Sequence, residues 1–120
     1  MTKWIPCGSG FIEADVVRWT EAVWKTGRLK SSKPVKVGER VVIAQVVRID
    51  SGEWVFLQVV ESRVTEEKQG RTVTEVLKKG QEVRRKRSTI KRGKPERLPW
   101  SDESARANLA SRFLGKGLET

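Results

Sequence analysis

Two dense runs of β-type residues, separated by a compact turn, constrain the fold of this chain more than any other feature of its sequence. The first run covers residues 40–50 (RVVIAQVVRID) and the second covers residues 53–62 (EWVFLQVVES). The turn at residues 50–53 (DSGE) contains a glycine, which supplies the positive φ that short hairpin connections need. The pattern therefore predicts a β-hairpin over residues 40–62.

Both strands of this hairpin carry apolar side chains on each of their two faces. In the first strand Val41 and Ile43 share one face, and Val42 lies on the other. Strands that are apolar on both faces lie in the centre of a packed sheet or in a small closed barrel. We therefore expect Trp54 to be buried, and we expect Ile43 and Phe56 to be core residues whose truncation to Ala costs about 2–5 kcal/mol.

Residues 11–25 (FIEADVVRWTEAVWK) permit two interpretations. Their β-branched and aromatic residues favour a strand, whereas the spacing of Ile12, Val16, Trp19 and Val23 fits one face of a helix. The strand is the preferred interpretation, because residues that favour sheets are so dense in this segment.

The last third of the chain predicts a strand, a turn and a helix. Residues 82–90 (EVRRKRSTI) are β-type but very basic, and a turn follows at residues 92–95. Residues 96–100 can pair back as a short strand. Ser101 is suited to cap a helix, and the two acids after it are typical of a helix N-terminus. We expect this helix to cover residues 102–114.

Together these elements predict a mainly β protein. We expect a small, strongly bent sheet or a partly open SH3-like or OB-like barrel of five to six strands, with one C-terminal α-helix. The 120 residues suffice for one domain, which we place at residues 11–114. Residues 1–10 are expected to form a flexible N-terminal arm, and residues 115–120 a frayed tail.

The residue types that are missing narrow the range of functions. The chain has no His and a single Cys, Cys7, so it lacks the commonest general base and the commonest metal ligand. A Cys-based zinc site and an intrachain disulfide are also excluded. We therefore predict a non-enzymatic protein with no catalytic residues, metal, cofactor or small-molecule substrate. Because no apolar run approaches the ~18 residues that a membrane-spanning helix needs, and no signal-peptide pattern is present, we expect a cytoplasmic protein without membrane contact.

Positive charge is concentrated in two segments of the sequence. The chain has a net charge of +10, and residues 78–97 hold ten basic residues against only Glu82 and Glu96. Residues 25–40 carry a further net charge of +5. A basic patch of this kind is typical of proteins that bind the phosphate backbone of nucleic acids. Charges also protect edge strands from aggregation, but the four consecutive cations at residues 84–87 exceed that need.

We therefore predict a nucleic-acid-binding module of low sequence specificity, with DNA or RNA as its partner. The alternatives are an adaptor or accessory protein that docks on an acidic surface of a larger complex, and a basic surface that serves only solubility. Trp100 adjoins the basic segment and is the best candidate for stacking on a base, although packing against the C-terminal helix is the competing interpretation. The predicted binding residues are Arg84, Arg85, Lys86, Arg87, Lys91, Arg92, Lys94, Lys30, Lys33 and Trp100.

Overall fold

The described strands form one antiparallel sheet. The computed structural model describes residues 3–8, 10–25, 33–50, 53–67 and 77–115, with side chains described as far as residue 111. The elements are β1 (Ile5–Pro6), β2 (Val16–Lys25), β3 (Val35–Asp50), β4 (Trp54–Glu67), β5 (Glu82–Lys86), α1 (Arg87–Arg92), β6 (Glu96–Arg97) and α2 (Glu103–Gly115). The sheet order is β1-β6-β2-β3-β4-β5. Among the described strands β1 and β5 form the edges, so the sheet is open.

The mainly β prediction is confirmed, and so is the central hairpin. β3 and β4 pair over residues 38–50 and 54–67, so both strands are longer than the predicted runs. In the ambiguous segment, the strand interpretation is confirmed from Val16 onward. Every residue of β2 from Val16 to Lys25 has a partner in β3, and this ladder satisfies the backbone groups that a helix would otherwise have paired internally.

One face of the sheet holds the core. The core side chains are no more than 9% exposed, and they come from four strands, from the segment before β2 and from α1. They are Phe11, Val17, Trp19, Val42, Ala44, Val46, Val55, Leu57, Val59, Val83 and Ile90.

The expectation that the hairpin is buried on both faces was wrong. On the opposite face Ile43, Trp54 and Phe56 are only half-buried, and Val60 is 44% exposed. Phe11 and Ile90 pack on the covered face, and the other face of the hairpin lacks comparable cover from the described residues. An antiparallel sheet is stable with a single packed face, so apolar residues on both sides of a strand do not by themselves require two packed layers.

The basic segment departs from the predicted strand over residues 82–90. β5 ends at Lys86 and α1 follows directly, so the extension of the strand to Ile90 was wrong. The helical turn brings Ile90 into the core, where it is fully buried, and this burial outweighs the β propensity of a short segment. Beyond α1, the Gly93 carbonyl accepts a hydrogen bond from the Thr20 amide at 3.1 Å. The chain is thereby attached to the edge of β2.

A segment near the start of the described chain and one from its last third meet beside this edge. β1 lies within the predicted N-terminal arm and pairs with β6, which covers two residues of the predicted 96–100 strand. Asp102, rather than Ser101, accepts the capping hydrogen bond, from the Ala105 amide at 3.1 Å. Residues 116–120 of the predicted tail lie outside the described residues. In the described ranges, no helix combines the length and apolar character that a membrane crossing requires.

Candidate nucleic-acid interface

Five basic and aromatic side chains gather on the open face of the sheet. In one row across the strands, Phe56 of β4 lies between Arg48 of β3 and Arg84 of β5; in the next row, Trp54 pairs with Lys86. The Cζ atom of Arg48 is 4.0 Å from the centre of the Phe56 ring, and that of Arg84 is 4.7 Å from the Trp54 ring. Lys86 Nζ lies 5.5 Å from the same Trp54 ring. These distances are within the range of cation–π attraction, and the five residues are referred to below as the outer cluster.

A β-bulge in β3 brings Arg48 into the outer cluster. Val46 pairs with Leu57, and both are buried, whereas the next pair is Arg48 with Phe56. Val47 is the additional residue on the bulged strand, so the side chains that follow it change faces. In a strand without this bulge, regular alternation would place Arg48 on the covered face with Val46.

The two aromatic members of the outer cluster follow from the alternation of β4. Val55 and Leu57 are fully buried, so Trp54 and Phe56 lie on the opposite face. The expectation that these aromatic residues belong to the core was therefore wrong. The alternation with Val55 and Leu57 is the sequence signal that identifies them, once it is known that only one face is covered.

The same alternation divides the predicted run of basic residues in β5. Arg84 and Lys86 are exposed, whereas Arg85 turns toward the covered face. There its Nε and Nη2 atoms donate hydrogen bonds to Glu21 at 2.9 and 3.1 Å. Arg40 Nη2 donates to the same carboxylate at 2.7 Å. Arg85 is thus engaged in an internal ion pair.

Glu21 is held in its charged form by these neighbours. Burial by itself raises the pKa of Glu21, but the Arg85 guanidinium and hydrogen bonds from Trp19 and Arg40 outweigh it. The pKa of Glu21 therefore lies below its ordinary value, and the carboxylate remains a partner for both arginines at neutral pH.

The cations after β5 also differ in their surroundings. The Arg87 guanidinium is half-buried, with Cζ 4.8 Å from the centre of the Phe11 ring, and burial lowers the pKa of Arg87. Lys91 and Arg92 lie in the last turn of α1 and Lys94 follows it, and all three are exposed.

Lys33 and Trp100, two further predicted binding residues, lie apart from the outer cluster. Lys33 is exposed immediately before β3, and Lys30 lies outside the described residues. The indole Nε1 of Trp100 donates to Asp15 Oδ1 at 2.8 Å, and Asp15 also forms an ion pair with Arg106 of α2. Trp100 therefore has a structural contact beside the C-terminal helix.

A cleft of about 1000 Å³ opens on the covered side of the sheet, beside Glu21. Arg40 and Arg85 already contact Glu21, so the cations that line the cleft are largely balanced by its acids. We therefore assign no ligand to the cleft. Its charged lining residues are Glu21, Glu39, Arg40, Arg85, Arg92, Lys94 and Glu96.

The described residues include one free cysteine, Cys7, which is partly buried. Burial raises the pKa of Cys7 to about 11, and the charge of Asp15 adds to the effect, so the thiol is protonated at neutral pH. In the described part of the chain, no group of three or more Cys or acidic side chains is arranged to hold a metal ion.

Comparisons with protein-family models, with curated proteins and with solved structures give no match to this chain.

Proposed function

We propose that this protein is a nucleic-acid-binding module of low sequence specificity, and that the outer cluster contacts the phosphate backbone. The observation that carries the proposal is the convergence of Arg48, Arg84 and Lys86 on one open face, where all three are exposed beside two aromatic rings. Exposed cations attract phosphates of any sequence, because contacts to the backbone carry no direct sequence information.

Further exposed cations support the proposal. Lys91, Arg92 and Lys94 are exposed, and Arg92 and Lys94 line the cleft on the covered side rather than the outer cluster. Their contribution is therefore to the field of the molecule, which raises the rate at which a polyanion is encountered. Contacts from Lys30 and Lys33 to phosphates, in support of the outer cluster, remain a prediction. Three predicted residues are left out of the proposed contact set. Arg85 is paired with Glu21, Arg87 is half-buried against Phe11, and Trp100 is half-buried and donates a hydrogen bond to Asp15.

The proposal is tested by replacing Arg48, Arg84 and Lys86 together with Ala. Binding of labelled DNA and RNA oligonucleotides is measured by fluorescence anisotropy at several salt concentrations. We expect weaker binding to all sequences alike. The slope of log affinity against log salt should become shallower by about two to three units, since each phosphate contact accounts for about 0.7–0.9 units.

A charge-matched variant provides the control. Lys3, Arg63 and Lys79 are exposed and lie outside the outer cluster, so their joint replacement with Ala removes the same charge from other places. If both triple variants lose affinity equally, the outer cluster is not the contact surface. If the wild-type protein binds every nucleic acid more weakly than about 10⁻⁴ M at low salt, nucleic-acid binding is wrong, and docking on an acidic protein surface becomes the leading function.

We also infer that the sheet curls into a partly open barrel of the SH3-like kind rather than the OB-like kind. The connection from β5 through α1 to β6 supports this inference. Ile90 of α1 packs in the core, and Gly93 bonds to Thr20 at the edge of β2, so a short helix spans from one side of the sheet to the other. The strand order β6-β2-β3-β4-β5 agrees with such a closure.

A further inference from the structure

The two aromatic rings of the outer cluster bear on which form of nucleic acid the surface accepts. Trp54 and Phe56 are two residues apart on one strand and therefore lie on the same face. Since a strand rises about 3.3 Å per residue, the two side chains leave the backbone roughly 6.6 Å apart. This spacing is about twice the 3.4 Å step between neighbouring bases in a duplex.

Two neighbouring bases can therefore occupy both rings only if they have separated from each other. In a duplex the bases are paired and stacked, and a sheet face reaches only the phosphates and the groove edges. In a single strand the bases can spread apart and stack on aromatic rings or on guanidinium planes. The spacing of Trp54 and Phe56 favours the single strand.

The cations beside the rings complete the arrangement. Arg48 and Arg84 flank Phe56 across the sheet, while Lys86 is paired with Trp54. Each ring thus has a cation within cation–π distance. A nucleotide that stacks its base on either ring has a phosphate-binding group on a neighbouring strand.

We propose that the outer cluster is a subsite for single-stranded nucleic acid, in which two successive unpaired bases stack on Trp54 and Phe56 while Arg48, Arg84 and Lys86 contact the adjoining phosphates. This inference rests on the proposed function. It specifies that the ligand is single-stranded, and it adds base stacking to the affinity that phosphate contacts provide.

The experiment compares three ligands with the wild-type protein: a short single-stranded oligonucleotide, the same strand in a duplex, and an abasic strand with an intact backbone. Stacking contributes between about fivefold and about a hundredfold in affinity per base. We expect the base-bearing single strand to bind at least about fivefold more tightly than the abasic strand and more tightly than the duplex. Equal affinity for all three ligands would overturn the single-strand inference while leaving the proposed function standing, whereas absence of any binding would overturn both.

Variants of the rings separate stacking from charge. Trp54→Ala and Phe56→Ala should each weaken single-strand binding by about fivefold or more and leave the salt slope unchanged, because no phosphate contact is removed. Trp54→Phe retains a ring and should recover most of the affinity. A Trp54→Ala variant that binds the single strand like the wild type would overturn the inference.

Trp24→Ala is the matched control. Trp24 is 59% exposed and pairs with Lys36, at the opposite end of β3 from the residues that pair with the outer cluster. Its replacement should leave affinity unchanged. Thermal unfolding of every variant shows whether the fold is intact, and Trp54→Phe keeps the test decisive should Trp54→Ala fail to fold.

Discussion

At the scale of single residues, the buried carboxylate of Asp15 joins three parts of the chain. It accepts hydrogen bonds from the Ile12 amide and from Trp100 Nε1, each at 2.8 Å. Arg106 of α2 donates to both of its oxygens, at 2.9 and 2.6 Å. Asp15 is fully buried and Arg106 is 9% exposed, so this pair connects α2 to the turn before β2 without solvent between them.

Asp15→Asn should therefore destabilise the protein strongly. The change leaves the Arg106 guanidinium buried without its countercharge, and breaking a buried pair in this way costs about 3–5 kcal/mol. Denaturant unfolding measures the loss. The control is Glu96→Gln, which breaks the half-exposed pair with Arg18 and should cost about 0–1 kcal/mol. Equal losses in the two variants would show that the Asp15 pair does not stabilise the fold.

At the scale of elements, β4 separates the core from the outer cluster by alternation alone. Val55, Leu57 and Val59 are all buried on the covered face. Phe56, which lies between Val55 and Leu57 in the sequence, is half-buried on the other face. Neighbouring residues of one strand can therefore differ completely in what they contribute to stability and to binding.

The pair Leu57→Ala and Phe56→Ala tests this division. Leu57→Ala opens a cavity in the core and should cost about 2–5 kcal/mol, with nucleic-acid affinity of the folded fraction unchanged. Phe56→Ala should cost clearly less stability and lose affinity instead. Denaturant unfolding and anisotropy titrations, made on both variants, measure the two effects. If Phe56→Ala lost more stability than Leu57→Ala, Phe56 would be a core residue and the division proposed here would be wrong.

The junction between α1 and β2 depends on a glycine. A Cβ atom at position 93 would lie 2.3 Å from the carbonyl oxygen of Thr20, a backbone atom that cannot move away without disturbing β2. Gly93→Ala should therefore cost about 1–3 kcal/mol as an overpacked site, measured by denaturant unfolding. Ser88→Ala, on the exposed side of α1, is the control and should change stability little. Wild-type stability in Gly93→Ala would mean that this close approach does not hold the two elements together.

At the scale of the whole molecule, several acids are paired with internal arginines while the cations of the outer cluster face solvent. Glu21 contacts Arg40 and Arg85, and Glu103 contacts Arg97. Hydrogen bonds from Arg97 and from the Trp100 amide lower the pKa of Glu103 to about 2, and the pKa of Glu21 is also lowered. Glu21 and Glu103 thus pair with arginines outside the outer cluster, and neither acid contacts its cations in these ion pairs.

These lowered pKa values predict loss of stability in acid. A carboxyl group whose pKa is lower in the folded than in the unfolded state stabilises the fold above its unfolded value and loses that contribution as the pH falls. The free energy of unfolding should therefore decline as the pH falls from about 4.5 toward about 2. Glu21→Gln should lower stability at neutral pH and make the acid decline shallower, as measured by denaturant unfolding across this range. Glu82→Gln, at the exposed start of β5, is the control; an identical decline in all three proteins would contradict the role of Glu21.

Elements whose pattern is local could be predicted from the sequence. The Val-rich runs specify the β3–β4 hairpin because β-branched residues recur over lengths that suit strands. Ser101 and the acids after it indicate α2, and the clustering of Lys and Arg over residues 78–97 defines the basic segment.

The covered face of each strand, and with it the membership of the outer cluster, depends on contacts between elements that are distant in the chain. Alternation assigns Arg84 and Arg85 to opposite faces, but the sequence does not say that Arg85 is the one to meet Glu21, 64 residues away in the chain. The bulge that moves Arg48 beside Phe56, and the helical turn that buries Ile90, likewise depend on partners brought together by folding. Burial and ion pairing depend on distance in space, whereas local sequence patterns report only on neighbours along the chain.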